Sequence, residues 1–131
     1  MAIRCVVVTP ERTELDREAS FVTLPMYDGE LGVGNGRAAL IGRLGFGLLK
    51  LQTESGTQRV FVDGGFAQVE NNVVSVLTGR VTAVDKLNES DARAALEKAL
   101  DLPATTKELA QLRDTAIMRA RGQLRVVQNA S

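Results

Sequence analysis

Apolar and polar positions follow two different rhythms along this chain. Up to about residue 85 they come in short runs cut by turn residues, and beyond it they recur at helical spacing. Ile3 to Thr9 is a β-branched run closed by Pro10, and Ser20 to Leu24 is a second strand closed by Pro25. Leu44 to Leu51 reads as a strand in which Gly45 and Gly47 permit a bend or bulge. Gln58 to Val62, Phe66 to Val69, Val73 to Leu77 and Val81 to Val84 complete the series. Asp28-Gly29, the polar Thr53 to Thr57, Asp63-Gly64-Gly65, Glu70-Asn71-Asn72 and Thr78-Gly79 supply the turn chemistry between runs. Strands about every ten residues predict an all-β sandwich or barrel. No helix-length pattern separates them, which argues against a parallel βαβ sheet.

The remaining residues predict an antiparallel helical hairpin, with the boundary at Asp85-Lys86-Leu87. The domains are then 1–85 and 86–131. Composition agrees: eleven of twelve glycines and thirteen of fifteen valines precede the boundary, and nine of fifteen alanines follow it. Glycine and valine favour turns and strands, alanine favours helix. Asn88 can cap the first helix, with Glu89 and Asp91 in its dipole-favoured first turn. Ala92, Ala95, Leu96, Ala99 and Leu100 share one face, and Asp101-Leu102-Pro103 ends the helix. Thr105-x-x-Glu108 reads as a capping box for the second helix, whose stripe is Leu109, Leu112, Ala116, Ala120 and Leu124. Gly122 marks a point of fraying or bending. An alanine seam removes little apolar area, so at ~25 cal/mol per Å² the hairpin gains only a few kcal/mol from it. Such a hairpin needs docking on the β domain or on a partner, which is a physical basis for a movable element.

Charge and residue inventory narrow the function. Sixteen basic residues balance sixteen acidic ones, so no field favours nucleic acid. One tyrosine and no tryptophan leave a base-stacking platform poorly supplied. Histidine is absent, which removes Ser-His and Cys-His nucleophilic pairs and the commonest metal ligand. Cys5 is the single cysteine, in an apolar run, and reads as a core residue. Catalytic residues and metal ligands are therefore expected to be absent, with no cofactor. No apolar run approaches the ~20 residues of a membrane span, and the N-terminus carries no signal-peptide pattern. An intracellular, soluble protein, peripheral to a membrane at most through a partner, is expected.

One stretch invites an enzymatic reading. Gly34-x-Gly36-x-x-Ala39 fits the dinucleotide fingerprint G-x-G-x-x-G/A, and Glu54 lies about twenty positions on. That fingerprint requires a helix opening on the loop to carry the pyrophosphate. Gly42, Gly45 and Gly47 leave no room for one. The glycines then serve as turn residues, with Asn35-Gly36 a hairpin signal, or as a contact surface in which Glu30 and Arg37 offer opposite charges.

The same stretch carries a resemblance. VTLPMYDGELGVGNGRAAL, residues 22–40, resembles the epsilon subunit of bacterial F-type ATP synthases, whose members typically show D/E-G-E-x-G-x-x-P-G-H-x-P-L. Phe61 to Val69 resembles that family's v-x-G-G-f-x-e-V, and Val73 to Leu77 its n-x-v-x-V-L-a. Ala92-Arg93-Ala94 resembles the start of its first C-terminal helix, and Gln123 to Val126 the end of its second. The resemblance implies a β-sandwich of about ten strands followed by two helices. It implies a non-catalytic rotor subunit of the central stalk, coupling ion translocation to ATP synthesis by linking the gamma subunit to the c ring. It also implies peripheral attachment at the cytoplasmic side of the bacterial cell membrane. The helices of that family fold on the sandwich or extend toward the alpha/beta catalytic head and restrain ATP hydrolysis.

The resemblance also implies site residues. Glu30 and Arg37 correspond to the loop that meets the c ring, although Asn35-Gly36-Arg37 stands where the family has Pro-Gly-His. A permanent guanidinium there suits an acidic or carbonyl-rich partner. Arg113, Arg119, Arg121 and Arg125 are either a solvated basic face or contacts to acidic groups of the catalytic head. In some members the folded hairpin binds ATP through an apolar residue followed by D-x-x-R-A. Here Glu89 and Ser90 replace its first two positions and only Arg93-Ala94 persists, so an i,i+4 salt bridge of Arg93 with Glu89 or Glu97 is favoured over a nucleotide contact. The alternative to a rotor subunit is a free-standing small nucleotide-binding protein or enzyme, resting on the glycine loop and on carboxylates such as Glu30 and Asp63.

Overall fold

The computed structural model describes residues 2–129. The chain divides into two units, Met1–Ala83 and Val84–Ser131. The first is a β-sandwich of eight strands: β1 (Ile3–Val8), β2 (Thr13–Ala19), β3 (Phe21–Met26), β4 (Gly29–Val33), β5 (Leu40–Thr53), β6 (Gly56–Glu70), β7 (Val73–Leu77) and β8 (Val81–Ala83). The hydrogen-bonded order is β2-β1-β7-β6-β5-β3-β4, with β8 on β6. All pairs are antiparallel except β1 with β7.

The sandwich has eight strands where the resemblance implies about ten, and Gly64-Gly65, which reads as a turn, lies inside the long strand β6. β5 and β6 pair along nearly their full lengths, from Leu40↔Val69 to Thr53↔Gly56. Between the rungs Leu44↔Gly65 and Phe46↔Asp63, Gly45 falls opposite Gly64, so both strands carry a glycine at the same level. Around that level β6 changes partner, pairing β8 through Val60–Val62 and β7 through Phe66–Glu70. The bend requires glycine at position 65. Its φ is +106°, and a Cβ there would lie 1.9 Å from the Leu77 carbonyl oxygen.

Two strands escape the periodicity reading. β2 (TELDREA) buries only Leu15 and Ala19, because it is an edge strand with its outer face in water. β4 (GELGV) is the opposite edge, short, with glycine at two of its five positions. The core lies on the inward parity of the others: Ile3, Cys5 and Val7 of β1, Val22 and Leu24 of β3, Leu49 and Leu51 of β5, Val74 and Val76 of β7.

The second unit starts with a short 3-10 turn, Val84–Lys86, where a strand end at Val84 is expected from the pattern. Then come α1 (Glu89–Leu100) and α2 (Lys107–Asn129), which pack against each other. Asn88 caps α1: its Oδ1 accepts from the Asp91 N–H at 2.8 Å, and its Nδ2 donates to Asp91 Oδ2 at 2.7 Å. The cap of α2 is Thr106, one residue beyond the expected Thr105, with Oγ1 accepting from the Leu109 N–H at 3.1 Å. The helix faces are narrower than the pattern predicts. Ala92 and Ala99 are buried, but Ala95 and Leu100 are exposed. On α2, Ile117 and Ala120 are buried while Leu112 faces outward. The reason is geometric: steps of four residues precess about 40° each around the helix, so the ends of a long i+4 series leave the face. Gly122 is buried, and α2 continues past it to Asn129.

Candidate functional site

The glycine-rich loop runs from Gly34 to Ala39, between β4 and β5. These two strands do not pair with each other, so Asn35-Gly36 is not a hairpin turn. The Arg37 N–H donates to the Gly34 carbonyl at 3.3 Å, and Gly36 at the third position has φ +81°. That is a type II turn, which demands φ > 0 at its third residue. The Gly36 N–H donates to Asn72 Oδ1 at 2.8 Å, tying the loop to the β6–β7 turn. Ala39 leads directly into strand β5, and Glu54 lies in the β5–β6 turn, lining a depression with Arg17, Ser20 and Ser55. No helix opens on the loop, so it lacks the geometry that cradles pyrophosphate.

Glu30 precedes this loop and Arg37 lies within it, and the two do not pair with each other. Glu30 lies on edge strand β4, and its Oε2 accepts from Lys50 Nζ at 3.5 Å, a long, exposed contact. Arg37 is exposed and has no ion pair among the described residues.

Strand register reveals a surface that the sequence pattern did not mark. Ile41 is opposite Gln68, Arg43 opposite Phe66, and Phe66 opposite Leu77. These side chains share the outer face of β5, β6 and β7, while Ala67, Val69, Val74 and Val76 fill the inner one. Ile41, Phe66 and Leu77 are 74%, 57% and 59% exposed. Arg43 stacks on the exposed Tyr27 ring, 4.2 Å from its centroid, at the margin. Exposed large apolar side chains grouped on one sheet face make a candidate contact surface. Its sequence signal was available: Leu40-Ile41 and Val76-Leu77 place apolar residues at both parities of a strand, which fits burial on both faces.

The hairpin arginines separate into different environments. Arg93 is committed to Glu89, with Nη2 and Nε at 2.6 and 3.2 Å from Oε1. That contact, with a hydrogen bond from Gln128, holds the Glu89 carboxyl below the usual carboxylate range. Arg113 Nη2 donates to the Leu100 carbonyl at 3.4 Å, covering the C-terminal end of α1. Arg121 and Arg125 are exposed and share a face one turn apart. Arg119 is half-buried and lies about 160° around the helix from Arg121. The four therefore do not form one basic face.

Nucleophilic and metal chemistry find little footing. Burial pushes the Cys5 thiol up to about 12, far from thiolate reactivity at neutral pH. No group of three His, Cys, Asp or Glu among the described residues could hold a metal ion. Nor is any helix among them long and apolar enough to cross a membrane.

Comparison with known proteins points in one direction. The model of the beta-sandwich domain of the ATP synthase delta/epsilon chain matches residues 2–84. The ATP synthase epsilon chain of Rhodopirellula baltica is 67% identical over 125 residues, covering 95% of this chain and 98% of the relative. That of a Synechococcus strain is 34% identical over 108 residues, covering 82% and 79%. Among solved structures, a chain of the Euglena gracilis mitochondrial ATP synthase, in its OSCP/F1/c-ring assembly, superposes with a TM-score of 0.79 at 20% identity, covering 98% of this chain and 80% of that one. A chain of the Tetrahymena thermophila central stalk/c-ring assembly gives 0.67 at 17% identity, covering 97% and 94%. At such identities these two likenesses speak for the fold alone.

Proposed function

The chain belongs to the ATP synthase delta/epsilon-chain family, and on that premise we propose that it works as the epsilon subunit of the rotor, joining the gamma subunit to the c ring. The observation that carries the residue-level reading is the apolar outer face of β5–β7. Ile41, Phe66 and Leu77 supply the desolvated centre that a protein interface needs, and the Arg43–Tyr27 stack supplies its polar margin. We assign this face to gamma. The loop leading into Ile41, with Glu30 and Arg37, is assigned to the c ring, where a fixed guanidinium meets carboxylates or carbonyls. The subunit itself is non-catalytic. It is held peripherally, at the cytoplasmic side of a bacterial membrane, by these partners.

The hairpin is assigned a regulatory role, extending toward the alpha/beta head and restraining hydrolysis. Arg121 and Arg125 are the residues best placed for that contact. Arg113 must first give up its bond to Leu100, and Arg119 its half-buried position. Arg93 is better explained by its Glu89 pair than by a nucleotide.

Co-purification of the full chain with its gamma subunit tests the assignment. A stable complex is expected. Phe66→Asp, placing a charge at the centre of the patch, should weaken it by about 2 kcal/mol or more. A chain that forms no complex with gamma would sink the rotor reading.

A further inference from the structure

We propose that Asn72 is a positioning residue for the c-ring contact, holding the Gly34–Arg37 turn in the form that presents Arg37. The inference rests on the assignment of that loop to the c ring. Residues 35–39 are all exposed and lie outside any strand pairing, and the segment contains no proline. Its internal tie, Arg37 N–H to the Gly34 carbonyl, is long at 3.3 Å. The short bond comes from elsewhere: Gly36 N–H to Asn72 Oδ1 at 2.8 Å.

The anchor is itself rigid. Asn71 and Asn72 have φ +52° and +63°, the two central residues of a type I′ turn between β6 and β7. The Asn72 carbonyl accepts from the Arg4 N–H of β1 at 2.9 Å, and the next rung, Glu70↔Val73, closes the hairpin. Asn72 is therefore fixed by three strands, and its side chain transfers that order to a loop that lacks it. Gly36 is required for its φ of +81° and not for space, since a Cβ there would meet nothing within 4 Å. The bonded N–H belongs to the Asn35–Gly36 peptide, the central peptide of the turn, and the orientation of that peptide sets the course of the chain into Arg37. Ordering the loop before association removes a cost otherwise met on binding.

Asn72→Gly deletes the acceptor while keeping φ > 0 accessible, and Asn72→Asp keeps an acceptor oxygen at the same place. Full-length variants would be compared for amide exchange at Gly36, for thermal unfolding and for affinity toward the gamma–c-ring complex. For Asn72→Gly, exchange at Gly36 should quicken and affinity fall, each roughly fivefold, with the unfolding midpoint nearly unchanged. Asn72→Asp should restore both. If Arg37→Ala weakens association but Asn72→Gly does not, the positioning role of Asn72 is overturned while the loop contact stands. If neither Arg37→Ala nor Glu30→Ala changes affinity, the c-ring contact itself fails, and this inference with it.

Discussion

The β-sandwich and the helical hairpin are held together in opposite ways. The sandwich buries branched and long aliphatic side chains at near-zero exposure, among them Ile3, Leu24, Leu49, Leu51 and Val76, and its ladders join residues far apart in sequence. The buried positions of the hairpin are mostly small, Ala92, Ala99 and Ala120, with Ile117 and Val126. Its other ties include the Asn88 and Thr106 caps, the Glu89–Arg93 pair, the Gln128–Glu89 hydrogen bond and the Arg113–Leu100 bond. Each buried Leu or Ile contributes about 1.5–3 kcal/mol relative to exposure, and an alanine far less. Packing by long aliphatic side chains suits a platform that keeps its shape, and small side chains with polar ties suit the movable regulatory arm proposed for the hairpin.

Separating the two units puts this contrast under the greatest strain. A chain ending at Lys86 is expected to keep its β-type circular dichroism, whereas residues 86–131 alone should be largely unstructured in water. In the assembled synthase the same truncation should raise ATP hydrolysis; an unchanged rate would remove the inhibitory role. A strongly helical isolated hairpin would contradict its assignment as the marginal element.

Next in size comes a core truncation. Leu49→Ala, at a position with no exposure, should cost about 2–5 kcal/mol in urea unfolding of the full chain. A loss below ~1 kcal/mol would mean that the sandwich is not the tightly packed partner in this contrast. In the hairpin, Asn88→Ala removes one cap and should cost about 1 kcal/mol of helix stability, read from the far-ultraviolet helical signal.

A weaker effect is electrostatic and touches both units. Asp16, hydrogen-bonded to Arg4, and Glu89, hydrogen-bonded to Arg93 and Gln128, both titrate below their ordinary values of 3.8 and 4.5. A carboxyl depressed on folding stabilises the folded state above its unfolded pKa. For Glu89 that contribution is lost as pH falls from 4.5 through the depressed value. Glu89→Gln should therefore flatten the acid limb of the helical signal slightly and leave neutral-pH stability almost unchanged, because such pairs are exposed and screened. A steeper acid limb in the variant would reverse the sign of this argument.

Much of this was legible in the residues. Alternating apolar runs located β1 and β7, and Asn88 with its acidic first turn located α1. The registered motifs pointed to the family that the comparisons then supported. The misreadings have specific causes. Thr105 and Thr106 are adjacent and chemically equivalent, so only backbone geometry chooses the cap. Gly64-Gly65 looks like a turn because glycine permits both a reversal and a bend, and the approach of the Leu77 carbonyl decides for the bend.

Local preference was set by the residues alone: which segments extend, which coil, and which carry no nucleophile–base pair. Outward direction and long-range ties came from tertiary pairing. A strand has two faces, and only its pairing reveals that Ile41, Phe66 and Leu77 come together on the wet one. Likewise, no spacing rule links Gly36 to Asn72, thirty-six residues apart. That bond exists because two strands that meet in the sheet bring their turns together.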